Sequence, residues 1–162
     1  MTTPGWHLRD LTDADLEEAV ALDGTSTTVG QRPLFPLSEV VASLVSGQPA
    51  VCAVADGRLV GTAVGRVDHD RGWIVRITLH PDWRSQGLGS ELICLLEQRL
   101  IAAGVRRISC ALPAEETGSQ ALRNSGFVER HDIAWFDKVE NVRPQDVDAA
   151  AALGGSVPPS NL

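Results

Sequence analysis

The stretch Trp73-Ile74-Val75-Arg76-Ile77-Thr78-Leu79-His80-Pro81-Asp82-Trp83-Arg84-Ser85-Gln86-Gly87-Leu88-Gly89-Ser90 decides the fold. Trp73 to Leu79 reads as a strand, and Pro81 interrupts it. After Pro81 the period changes: Leu88, Leu92, Leu95, Leu96, Arg99 and Leu100 recur at helical spacing until Ala103-Gly104. Arg107 to Leu112 returns to a strand pattern. Strand, glycine turn, helix and strand in that order build a parallel crossover.

Upstream, Ala50 to Ala55 and Leu59 to Val67 are further strand runs, and Asp56-Gly57-Arg58 between them is a tight hairpin signal. With Trp73 to Leu79 they form an antiparallel meander. Trp6 to Arg9 is a short strand, after which Thr12 caps a helix with an acidic first turn, a stripe of Leu16, Ala19 and Val20, and a stop at Gly24. Thr25 to Pro36 reads as a loop, and Ser38 and Glu39 open a second short helix that runs to Ser46-Gly47. Downstream, Ser119 to Asn124 is helical and Ile133 to Val139 is the last strand. Residues 1–140 form the domain, and 141–162, with Ala149 to Ala152 and Pro158-Pro159, form a tail or linker.

A length of 162 residues fits one domain, and 43% hydrophobic with 22% charged residues is ordinary globular composition. The net charge of −7 opposes nucleic-acid binding, which needs dense Lys and Arg, and favours cationic partners. No apolar run reaches the roughly 18 residues of a membrane span. Met1 to Gly5 lacks the pattern of a secretory signal, so the cytoplasm is the expected compartment. Cys52, Cys94 and Cys110 lie far apart in apolar contexts without metal-ligand spacing and read as buried thiols. No metal is expected.

Gly87 and Gly89 lack a Cβ, so their backbone can approach a ligand closely. The first N–H groups of the helix that follows have no intrahelical partner, and its dipole adds partial positive charge, a setting that suits a pyrophosphate. Other phosphate loops fit poorly. A dinucleotide fingerprint needs a third glycine where Leu92 stands, and no lysine follows the glycines as a Walker loop requires.

With its flanks the stretch resembles the acetyl-coenzyme A (acetyl-CoA) motif of the GNAT superfamily of N-acetyltransferases, Arg/Gln-x-x-Gly-x-Gly/Ala, here Arg84-x-x-Gly87-x-Gly89. Ile77 to Trp83 is similar to the strand and proline turn that precede the motif, and Gly126-Phe127 matches a pair common downstream. The resemblance implies an α/β (α+β) fold: a mixed, mostly antiparallel twisted sheet of six to seven strands, about four helices and a splayed central strand pair. It implies acetyl-CoA as cosubstrate, with pantetheine on the main chain of Ile77 and Leu79 and pyrophosphate on Arg84, Ser85, Gln86, Gly87, Leu88, Gly89 and Ser90. Thr117 would offer a hydroxyl to pantetheine, and the Leu79 N–H would polarise the thioester carbonyl. Many relatives carry a tyrosine acid where this chain has Leu122, and the chain contains no tyrosine.

Direct attack by an amine requires removal of a proton. The candidate bases are His80, Glu115 and Glu116, with Asp68 and His69 at the end of a neighbouring strand. Trp73, Trp83 and Trp135 are pocket or core residues, and Arg123 and Arg130 are candidates for the ribose phosphate. The expected activity is acetyl transfer to a small-molecule or protein amine, with a homodimer left open. The alternative is a non-catalytic acyl-CoA binding module, or a piece of a longer chain.

Overall fold

The structure is a computed structural model that describes residues 5–26, 35–112 and 118–136. In chain order the elements are β1 (His7–Asp10), α1 (Leu16–Ser26), α2 (Leu37–Val45), β2 (Ala50–Ala55), β3 (Arg58–Asp68), β4 (Arg71–Leu79), α3 (Leu88–Ala102), β5 (Arg107–Cys110) and α4 (Ser119–Asn124). Short 3-10 turns precede α1 and follow β4. The five strands form one sheet in sequence order, antiparallel except for the parallel pair β4–β5. This is the expected mixed, mostly antiparallel sheet, with five strands among the described residues instead of six to seven.

One of the expected strands falls at the end of the described residues. Residues 131–136 form no strand, and Ile133, Trp135 and Phe136 are exposed, so the expected strand from Ile133 and the core role for Trp135 do not hold there. Residues 137–139 of that strand and the tail at 141–162 lie outside the described residues.

Strand side chains alternate between faces, and each face is covered by helices. On one side Val51, Ala53, Ala63 and Ile74 meet Leu88, Leu92, Ile93, Leu96 and Leu100 of α3. These five helix residues are at most 1% exposed, and each contributes about 1.5–3 kcal/mol by leaving water. On the opposite side α1 packs Ala19 and Leu22 on Cys52, Val54 and Leu59, while α2 packs Val40 and Leu44 on Ala50, Val64 and Val75. Gly61 sets how near α3 can come, because a Cβ there would lie 2.8 Å from Leu92 Cδ1 and 3.0 Å from Leu79 Cδ2. Any larger residue would force the ends of the Leu92 and Leu79 side chains to shift.

Local signals explain the elements and also the misses. Asp56 and Gly57 have φ of 50° and 75°, the two-residue turn expected between β2 and β3. Gly24 does not end α1, which runs on to Ser26, and the buried stripe includes Leu22 where Val20 is only half-buried. Of the three cysteines, Cys52 is buried, Cys110 intermediate and Cys94 exposed. Burial pushes the Cys52 thiol up to about 11, which keeps it unreactive.

Asp15 anchors α1 to β1. Its carboxylate accepts from Arg9 Nη1 and Nη2 at 2.6 and 2.7 Å and from the Thr12 N–H at 2.8 Å. Arg9 above all, then the Thr12 donors, hold the carboxyl well below the usual carboxylate range against the opposing effect of burial. A depressed folded-state pKa stabilises the fold above the unfolded value of about 3.9, and that contribution is lost as pH falls below it. Thermal melts from pH 6 down to pH 2.5 are expected to show a steeper fall in Tm for the wild type than for Asp15→Asn. Parallel curves would show that this carboxylate is not linked to folding.

Candidate functional site: a strand edge opened beneath a helix N-terminus

β4 and β5 pair only from Arg71↔Arg107 to Ile74↔Cys110. At that point β4 carries a bulge: Gly65 of β3 faces Ile74 while Val64 faces Arg76, so Val75 is the extra residue. A bulge bends its strand and sharpens the twist, and beyond it β4 has no strand partner on the β5 side among the described residues. The pairing ends with β5 itself at Cys110, which leaves the Val75 to Leu79 end of β4 unpaired on that side among the described residues.

Which main-chain groups face the gap follows from register. The His80 N–H donates to the Val60 carbonyl at 2.9 Å, and Thr78 pairs with Thr62 two residues earlier. In an antiparallel ladder alternate residues point their N–H and C=O groups toward the partner. Thr78 thus faces β3, while the main-chain groups of Ile77 and Leu79 face the opening.

The glycine turn stands at the end of this edge. Ser85 and Gly87 have φ of 59° and 91°, and such left-handed turns curl successive N–H groups into a concave anion-binding surface. The Gln86 side chain braces the turn by donating to the Asp82 carbonyl at 2.8 Å. α3 begins with Gly87 as its N-cap and has no side-chain cap. Its first ladder bond runs from the Glu91 N–H to the Gly87 carbonyl at 3.2 Å, so the Leu88, Gly89 and Ser90 N–H groups lie ahead of the ladder.

A Cβ at Gly87 would meet nothing within 4 Å, whereas one at Gly89 would sit 3.5 Å from Leu79 Cδ1 and from Ala121 Cβ. The first glycine opens outward, and the second packs the helix entrance against β4 and α4. Glu91 is the acidic residue of that first turn, and Trp6 Nε1 holds its carboxylate at 2.9 Å. Trp6 in turn meets Trp83 edge to face, with ring centroids 5.7 Å apart.

Other candidates fall apart spatially. Asp68 and His69 sit at the far end of β4, roughly 25 Å along the strand from Leu79. Arg123 is spent on Glu129 at 2.8 Å and Arg130 on Asp132 at 2.6 Å. Leu122 is buried among the α3 side chains, and Trp73 is partly buried against the α2 cluster. Glu115, Glu116 and Thr117 lie outside the described residues. Nδ1 of His80 accepts from the Asp82 N–H at 3.3 Å, so the neutral ring carries its proton on Nε2 and presents a donor. Among the described residues there is no cluster of His, Cys, Asp or Glu able to hold a metal, and no helix long and apolar enough to cross a membrane.

A model of the acetyltransferase (GNAT) family matches residues 20–127. The chain belongs to the GNAT acetyltransferase family. An acetyltransferase of Photorhabdus laumondii is 37% identical over 110 residues, a match covering 68% of this chain and 65% of that one, just under two thirds of its length. Among solved structures, an aminoglycoside N-acetyltransferase, AAC(6')-Iy, in complex with CoA superposes with a TM-score of 0.66 at 21% identity, over 82% of this chain and 99% of that one. The ribosomal-protein-S18-alanine N-acetyltransferase of Escherichia coli gives 0.62 at 20% identity, over 74% and 75%. At these identities the structural likeness shows the shared GNAT fold.

An alanine at position 87 separates conformation from space. Because a Cβ there would meet no neighbour within 4 Å, Gly87→Ala is expected to cost about 1 kcal/mol from the left-handed backbone alone. Urea unfolding would read this directly, and an unchanged midpoint would mean that the positive φ is not held in solution.

Proposed function

We propose that this chain is an N-acetyltransferase that uses acetyl-CoA and transfers the acetyl group directly to an amine. The observation that carries the reading is the conjunction of an outward-facing main-chain edge at Ile77 and Leu79 with an uncapped helix start at Gly87 to Ser90. Amide donors along the edge match the amide groups of pantetheine, and the helix start with Arg84 to Gln86 matches a diphosphate. The fit is supported by the open space at Gly87 and by the Trp6 bond that draws the Glu91 carboxylate aside.

Bound acetyl-CoA supplies an activated acyl group. The protein's part is mainly electrostatic. The Leu79 N–H donates to the thioester carbonyl and stabilises the negative charge that grows there as the amine adds, a role suited to a fixed backbone donor. The amine sheds its proton through water, with Glu116 as the proposed acceptor; His80, placed next to Leu79, contributes a donor unless its bond to Asp82 breaks. With Leu122 buried where relatives carry a tyrosine, the departing thiolate takes its proton from solvent. That same substitution favours a second reading, a binding module without turnover.

One experiment separates the two. Calorimetry is expected to show acetyl-CoA binding, and free thiol should appear when an amine panel is added. Gly87→Trp should weaken cofactor affinity at least tenfold by filling the phosphate space, well beyond the effect of Gly87→Ala. Binding without thiol release on any amine would establish the module, and an affinity indifferent to Gly87→Trp would remove the site.

A further inference from the structure

Arg76 interrupts the apolar run Ile74-Val75-Arg76-Ile77 in the strand that borders the gap. Its side chain is only 10% exposed and lies on the face covered by α1 and α2. Nη2 donates to the Phe35 carbonyl at 3.0 Å. Nε lies 3.5 Å from Asp23 Oδ1 without forming a hydrogen bond, and it is the buried side-chain donor that lacks a partner among the described residues. Asp23 Oδ1 also accepts from Thr78 Oγ1 at 3.0 Å, so the guanidinium lies close to Thr78, the neighbour of Leu79.

A guanidinium is always charged, and burying its Nε without a hydrogen bond is costly, so the arrangement needs a reason. Of its five N–H donors, one is committed to a hydrogen bond among the described residues. Position supplies the reason. α3 and its glycine entrance occupy one face of the sheet, and the proposed cofactor fills the gap from that side. An acceptor therefore approaches Leu79 from the other face, where Arg76, steadied by Asp23, is the cationic side chain of the segment beyond the bulge.

We propose that Arg76 is a specificity-determining residue that receives a carboxylate carried by the acceptor, so that the preferred substrates are small amino carboxylates. A planar guanidinium fork matches a carboxylate in geometry and charge. Asp23 balances the guanidinium. This substrate class departs from the polycationic acceptors that the net charge of −7 alone would favour. The inference rests on the acetyl-transfer reading.

The test compares N-acetylglycine and N-acetyl-β-alanine with their carboxamides, as product analogues that differ in one charge, by calorimetry with the CoA-bound protein. Wild type is expected to bind the acids at least tenfold more tightly than the amides. In Arg76→Gln that ratio should fall to about one, and Arg76→Lys should keep part of it. Acetyl-CoA affinity should be equal in all three proteins. Amides bound as tightly as acids by wild type, or an Arg76→Gln variant that weakens both alike, would overturn the proposal. Absent acetyl-CoA binding in wild type would strike the acetyl-transfer reading instead, so the two failures are told apart; should Arg76→Gln not fold, the wild-type and lysine ratios decide.

Discussion

One extra residue in β4 governs the geometry of the whole site. Val75 bulges just where the pairing with β5 ends at Ile74, and beyond it β4 keeps β3 on one side and an edge without a strand partner on the other among the described residues. Main-chain amides that would have been consumed in a ladder are thereby left aimed at the gap. The bulge also reverses which side chains face which layer: Ile74 and Ile77 both meet the α3 side, and Val75 joins the α2 cluster. Arg76 and Thr78 then face α1, where Asp23 receives them.

The opening would collapse without rigid walls. On one face α3 is locked by leucines at 1% exposure or less, and Gly61 lets it settle against the end of β4. On the other, Thr78 and Arg76 are tied to Asp23 and Phe35 by polar contacts rather than by apolar packing. A dry wall and a polar wall thus flank the same short segment, which gives the two approaching molecules different surfaces to meet.

Much of this was legible in the residues. The Asp56-Gly57 turn, the change of period after Pro81 and the Gly87/Gly89 spacing place the meander, the crossover and the helix entrance, because each is a local preference written over a few positions. The bulge was not legible, since a register slip arises from how two strands meet and Val75 itself is an ordinary strand residue. Ser85 carries a left-handed φ that its identity does not advertise. Gly24 misled for the opposite reason: a glycine signals a helix end on average, yet the packing of Leu22 and the bonding of Asp23 carry α1 past it. Arg76 was legible in retrospect as the charge that breaks an apolar strand, although its partner, more than fifty positions upstream, was not.

The proposed grip on the cofactor is made almost wholly of backbone, and Arg84, Ser85, Gln86 and Gly87 are solvent-exposed. A binding surface of this kind is nearly blind to side-chain identity. Drift at these positions can leave the donors in place, and only a residue without an amide hydrogen, or one that refuses a left-handed turn, erases them. The loop can therefore diverge in sequence far more than its chemistry does.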